Sequence, residues 1–389
     1  MIAVTATRLY TPLECVEAPL LLIEGDTIVE VSSRAARSLP EGARVMDFGD
    51  AFLAPGFVDI HIHGGAGHDV MSADSAGLAA LEQLLASHGV TSYFPTTVTA
   101  PLDQTLSALD RLATEIEKTE RDRSPEQGGA RPLGIHLEGP FISHIRRGVH
   151  PPENLLPPTL ATFDRFWEAS RGRIRVMTIA PELVGAQEVI AEAASRRVCV
   201  SVGHSDADVN ATSAAVAAGA RHATHTFNAM RPLDHREPGI IGEVLTDPRL
   251  SADIIADGVH LDPAIVQLFL KAKGPEGAVL ISDATAATGM PDGRYRLGSL
   301  EVEVKNGRCT SEGRLAGSVL TMDRAVRNVM QFAHWDLQAA LRLASLNPAR
   351  VGGLPERGKI EAGCLADIVV LTPAGEVKAT IVGGALPGM

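Results

Sequence analysis

The chain has 389 residues, 45% of them hydrophobic, and a formal net charge of -12. That length exceeds one typical core, so two domains, or one large barrel with an accessory part, are expected of an ordinary soluble globular protein. The acidic balance argues against nucleic acid and anionic membranes as partners, and any anionic substrate would need a locally positive pocket.

From the N-terminus, residues 1 to 52 alternate short β-prone runs with turns, such as Leu20-Leu21-Leu22-Ile23 before Glu24-Gly25-Asp26. No long helical pattern interrupts them, which predicts a small sheet. The next phrase, Ala54-Pro55-Gly56-Phe57-Val58-Asp59-Ile60-His61-Ile62-His63-Gly64-Gly65, opens with a buried strand over Phe57–Ile60. Side chains alternate along a strand, so His61 and His63 point the same way and can share one metal ion at its end. The glycines after them are expected to leave room above the imidazoles.

Strands and helices then alternate. After Phe57–Ile60 come candidate strands at Thr91–Phe94, Leu133–Leu137, Arg175–Ile179, Cys199–Val202, Arg221–Thr224, Ala252–Ala256 and Val279–Ile281. Leu78, Leu81, Leu84 and Leu85 make an apolar stripe at helical spacing. Ser205 to Ala218 reads as a helix stopped by Gly219, and Ser124–Gly129 as a polar loop. Eight strands with intervening helices predict a TIM barrel over residues 53–354, whose chemistry sits at the C-terminal strand ends. Leu300 to Val304, followed by Lys305-Asn306-Gly307-Arg308, reads as a hairpin inserted after the eighth strand. Ala366–Leu371 and Ala379–Val382 are β-prone again. Residues 355–389 should therefore complete the small β domain begun by residues 1–52, giving a sandwich built from both chain ends.

The four cysteines, Cys15, Cys199, Cys309 and Cys364, fit no metal or redox spacing. With no basic segment leading into a long apolar run, the expectation is a cytoplasmic protein. The chemistry-bearing residues lie at the predicted strand ends: His61 and His63 after the first, Glu138 after the third, His204 after the fifth, His225 after the sixth and Asp283 after the eighth. Ligands of this kind without thiolates suit Zn, Fe(II) or Mn rather than a structural cysteine site.

Here the sequence resembles the amidohydrolase superfamily, and more closely its N-acetylglucosamine-6-phosphate deacetylase family. The phrases that carry the resemblance are PGFVDIHIHGG, GIHLEGPF with RRGVH, SVGHSDA, ATHTFNAM, HREPGIIG, IIADGVH, ISDATAATG and LAGS, in order along the whole chain. The resemblance implies a barrel with a small β domain and removal of acetate from a phosphorylated 2-acetamido sugar. It implies a divalent metal, one or two per subunit, with zinc first and iron, manganese or cobalt as alternatives. Glu138, His204 and His225 would hold one ion; His61 and His63 with Glu138 offer a second site.

Asp283, beside the metal, would move the proton from water to the leaving nitrogen, and His150 would polarise the acetamide carbonyl. Asn228 and Ala229 match a phosphate-binding backbone, His260 a substrate contact, and Arg236 an arginine reaching the phosphate across a homodimer. His68, His88, His222, His235 and His334 receive no role, and His144 is open. No lysine falls at a predicted strand end, so a carboxylated-lysine bridge, as in dihydroorotase-like members, is not expected, and Glu138 substitutes for it. The rival readings are the galactosamine epimer as substrate and a non-catalytic scaffold.

Overall fold

A computed structural model of the chain describes residues 1–121 and 128–386. Most of the predicted Ser124–Gly129 loop lies outside the described residues. The eight expected strands appear at Phe57–Ile62, Val90–Thr97, Ile135–Glu138, Ile174–Ile179, Cys199–Val202, His222–Ala223, Ala252–Ile254 and Ala278–Leu280. The third starts two residues later than its apolar run, and the sixth and seventh are shorter than predicted.

These strands run parallel in chain order. The first pairs with the second, and pairing continues through the sixth. The seventh pairs with the eighth. Thr226 N donates to Asp253 O at 2.9 Å, joining the sixth to the seventh. Past the eighth, Asp283 N donates to His61 O at 2.9 Å, and Ile62 and Ala284 form a parallel bridge, which returns the order to the first strand.

Helices follow the strands because their apolar positions recur at helical spacing and their ends carry caps. Leu78, Leu81 and Leu85 of Ser75–Ser87 are buried, and the Asp74 side chain caps its first turn by accepting from Gly77 N at 2.8 Å. Leu84 of the same stripe is only half-buried. The helix after His204 spans Val209–Ala218, shorter than expected: Asp208 is its cap, and Gly219 ends it at φ +128°. Ser205 and Asp206 are drawn out of it by Glu182, which accepts from Ser205 Oγ and from Asp206 N, both at 2.7 Å.

Strand and helix side chains share one large apolar core that includes Val58, Phe94, Leu137, Val200 and Leu280. The terminal segments form two further sheets. One, of four strands, uses only residues before Phe48. The other places Ile368–Leu371 between Val377–Ile381 and Phe52–Pro55, so both chain ends meet in it. Val4, Leu21 and Ile23 of the first sheet share a separate core with Leu53, Ile368 and Val370 of the second.

The predicted hairpin is one part of a four-stranded antiparallel sheet, Gly293–Leu297, Leu300–Lys305, Arg308–Ser311 and Arg314–Leu315. Its buried Leu297, Val302, Val304 and Cys309 pack with Val149, beside His150. Among the described residues no helix is long and apolar enough to cross a membrane.

Candidate active site

The strand ends converge on Glu138, at the end of the third strand. Its Oε1 lies 3.2 Å from His204 Nε2, 3.1 Å from His225 Nε2 and 3.4 Å from His61 Nε2. Its Oε2 lies 3.3 Å from His63 Nε2. Asp283 Oδ1 stands 3.2 Å from His63 Nε2 and 3.7 Å from His61 Nε2. All six residues are at least nine-tenths buried.

Two triplets, His61–His63–Glu138 and Glu138–His204–His225, each bring three ligand-type atoms within 4.8 Å of one another, with Glu138 common to both. The Nε2 atoms of His204 and His225 are 3.0 Å apart and aim at one carboxylate oxygen. That convergence of lone pairs and negative charge, with no thiolate, suits a divalent cation.

The electrostatics agree. Burial would raise Glu138, but the charge of His61 and hydrogen bonds from His204 and His225 hold it well below the usual carboxylate range. Burial would likewise raise Asp283, but its bond to His63 and the charge of His61 bring it to about 2. Against burial, the same carboxylates keep His63 well above its ordinary value and His225 at about 9. The pair of acids thus stabilises positive charge among the imidazoles, a place a metal would take by displacing protons.

Three of these residues carry uncommon backbone: φ is +46° at His204, +29° at His225 and +49° at Asp283. L-residues seldom adopt this region, and its clustering at strand ends marks a functional site. The glycines around them differ from expectation. A Cβ on Gly64 would sit 2.3 Å from His68 O, and one on Gly65 2.8 Å from Leu81 Cδ1, so they admit close packing rather than leave space above the imidazoles. The glycine that guards the site itself is Gly148, at φ +61°, whose Cβ would come within 3.3 Å of the His204 ring.

A cavity of about 200 Å³ opens over the carboxylates, lined by His150, Asn228, Ala229 and His260 together with Val98 and Leu297. His150 Nδ1 accepts the Thr99 N–H at 3.3 Å and is 2.8 Å from Thr99 Oγ1. Its proton is therefore on Nε2, which points towards Glu138 Oε2 at 3.7 Å. Burial, then repulsion from His204, pushes His150 down to about 3, so the ring is a neutral donor. His260 lines the same cavity and is oriented by Asp257, with Nδ1 2.8 Å from Oδ2.

Arg236 is not brought into this cavity. It is exposed, on a loop whose Asp234 accepts its backbone N–H at 2.8 Å. His144 and His235 are also exposed, and His88 pairs with Asp323 at 3.1 Å.

Three residues behind the site had no role in the sequence reading. Asp59 and Asp253 are fully buried and bond the backbone N–H of His61 and His225, and His222 binds Asp253 at 2.9 Å. Their signal was available: each aspartate interrupts an apolar strand, where an unpaired charge is costly.

The Amidohydrolase family profile matches residues 52–386. The N-acetylglucosamine-6-phosphate deacetylase of Bos taurus is 41% identical over 354 residues, covering 87% of this chain and 84% of its own. The N-acetylgalactosamine-6-phosphate deacetylase of Escherichia coli O157:H7 is 40% identical over 336 residues, covering 86% and 87%. Among solved structures, a mutant N-acetyl-D-glucosamine-6-phosphate deacetylase of Mycobacterium smegmatis in complex with N-acetyl-D-glucosamine-6-phosphate superposes with a TM-score of 0.92 at 36% identity, over 99% of this chain and 98% of that one.

Proposed function

The chain belongs to the amidohydrolase family, within its N-acetylglucosamine-6-phosphate deacetylase branch, and from that premise we propose that it hydrolyses N-acetyl-D-glucosamine 6-phosphate to D-glucosamine 6-phosphate and acetate. One observation carries the reading: Glu138 lies between two imidazole pairs beneath a cavity that also holds Asp283 and the Nε2 donor of His150.

Glu138, His204 and His225 would hold one divalent metal, and His61 and His63 with Glu138 a second. Zinc is our first choice, with iron, manganese or cobalt as alternatives. Such a metal supplies a Lewis acid that makes water acidic near neutral pH. Asp283 takes the proton from the attacking water as its oxygen adds to the acetamide carbon. The same carboxyl then passes that proton to the nitrogen as the C–N bond breaks, because an amine leaves poorly unprotonated. His150 donates from Nε2 to the carbonyl oxygen while negative charge develops there.

Asn228 and Ala229 offer backbone to the phosphate, and His260 a side-chain contact. Arg236 would reach the phosphate of a second copy in a homodimer, which is consistent with its exposure here. A planar guanidinium suits bidentate phosphate binding. We read residues 53–354 as one closed (β/α)8 barrel and residues 1–52 with 355–389 as a β-sandwich domain. The Asp283–His61 backbone bond and the separate apolar core of the terminal sheets support this. We place the enzyme in the cytoplasm.

Acetate release by the zinc-loaded protein tests the proposal on three sugars: N-acetylglucosamine 6-phosphate, its galactosamine epimer and unphosphorylated N-acetylglucosamine. The first should be hydrolysed fastest and the last hardly at all. Preference for the galacto epimer would overturn the assigned substrate. No acetate from any of the three would overturn deacetylation.

A further inference from the structure

The site's imidazoles are held in two different ways. His63 and His204 are held by the ring: Nδ1 donates to Thr96 O in the first and Arg146 O in the second, each at 3.0 Å. The Nδ1 atoms of His61 and His225 are buried with no hydrogen-bond partner among the described residues. Those two histidines are held by the backbone instead. His61 N–H donates to Asp59 Oδ1 at 3.3 Å, and His225 N–H donates to Asp253 Oδ1.

Both aspartates are completely buried, and each second oxygen is occupied. Ser282 Oγ donates to Asp59 Oδ2 at 2.5 Å. His222 Nε2 donates to Asp253 Oδ2 at 2.9 Å, and its Nδ1 meets Ser251 Oγ at 2.7 Å. Each triplet around Glu138 therefore contains one ring-held and one backbone-held histidine.

We infer that Asp59 and Asp253 are positioning residues that set the two halves of the metal site separately, each through the main chain of one ligand. Asp253 fixes His225, whose φ of +29° is a conformation the backbone would otherwise leave. Asp59 fixes His61 on the first strand, two residues along. Without these acceptors an imidazole with a free Nδ1 loses the hydrogen bond to its own N–H, and ring packing, such as His61 on His136 at 4.5 Å between centroids, is left to aim Nε2 at Glu138. A buried N–H left without its acceptor also favours local rearrangement. The inference rests on reading the two triplets as metal ligands.

The test uses zinc alone. Metal-free protein is titrated with zinc against a chromophoric chelator, and each class of site is identified by the histidine variant that abolishes it, His225→Ala or His61→Ala. Asp253→Ala should weaken the class that His225→Ala abolishes by about 10- to 100-fold, the usual scale for a residue supporting a ligand. Asp59→Ala should do the same to the class that His61→Ala abolishes. Asp253→Asn retains an acceptor oxygen and the side-chain shape and should recover most of the loss, which a role confined to charge would not allow.

A folded Asp253→Ala protein that binds zinc as tightly as the parent would overturn the inference. Should an alanine variant not fold, the supports decide: His222→Asn and Ser282→Ala leave the aspartates in place without the imidazole or hydroxyl donor to the second oxygen, Asp59 keeping the Ser282 N–H at 3.3 Å, and each should weaken its own class several-fold. Parental affinity in a folded support variant would equally overturn the positioning role. Failure of the parent itself to bind zinc is a different result, and it removes the metal reading on which this inference stands.

Discussion

At the scale of single residues, the site is a set of side chains whose roles follow from what touches them. Asp283 is the proposed proton carrier. It is buried, its backbone is held by donating to His61 O at 2.9 Å and accepting from Ser318 N at 2.7 Å, and its carboxyl stays ionised to about pH 2. Replacing Asp283 with Asn keeps the shape and removes the proton acceptor. Turnover should then fall by at least about 10²-fold, the usual scale of acid–base catalysis. Metal content should hold, because Glu138 and the four imidazoles are untouched. Acetate release beside metal analysis checks both halves, and a loss under about tenfold would assign the proton to another group. The candidate ligands were legible because each follows a predicted strand: His61, His63, Glu138, His204, His225 and Asp283. For Asp59 and Asp253 the sequence marked a charge inside an apolar strand but not its partner, because the backbone N–H groups of His61 and His225 that they hold, and the His222 contact behind Asp253, follow no spacing pattern.

At the scale of elements, the strand–helix alternation was readable from apolar periodicity, whereas boundaries depended on polar partners far along the chain. Glu182 takes Ser205 and Asp206 out of the helix that their residue types seemed to open. One helix–strand contact carries a pH prediction. Glu82, on the Ser75–Ser87 helix, accepts from Tyr93 OH of the second strand at 3.2 Å, and burial pushes its carboxyl from 4.5 up to about 7. A carboxyl raised in the folded state binds its proton more tightly than in the unfolded chain. Its contribution is full below pH 4.5 and is lost as pH rises through about 7. Glu82→Gln should therefore be more stable than the parent at pH 8, by on the order of 1–3 kcal/mol, and melt close to it at pH 4.5. Thermal melts of both proteins at the two pH values measure this. The same difference at both values would mean that Glu82 is not the titrating group.

At the scale of the whole molecule, the open question is how an acidic protein, net -12, presents cations to a phosphorylated sugar. The proposed answer is Arg236 from a second copy. A charge-assisted hydrogen bond of this kind contributes roughly 1.5–3 kcal/mol. Arg236→Ala should therefore lower kcat/KM for the phosphorylated substrate by about one to two decades and barely change the unphosphorylated sugar. Mixing Arg236→Ala subunits with Asp283→Asn subunits should raise activity well above that of either parent, since one site of each mixed dimer is intact. Mixed dimers that recover nothing, or an active monomer, would refute the cross-subunit arrangement.

The sequence by itself determined the alternation of elements, the apolar faces that pack them and the identity of the ligand-type residues, because these depend on local periodicity and residue chemistry. Only the tertiary structure decided that Glu138 stands between both imidazole pairs, that His150 carries its proton on Nε2, and that two buried aspartates hold the backbone of His61 and His225. Those facts are distances between atoms on different strands. Such distances are set by parallel pairing and by the return of the eighth strand to the first, neither of which leaves a local mark in the chain.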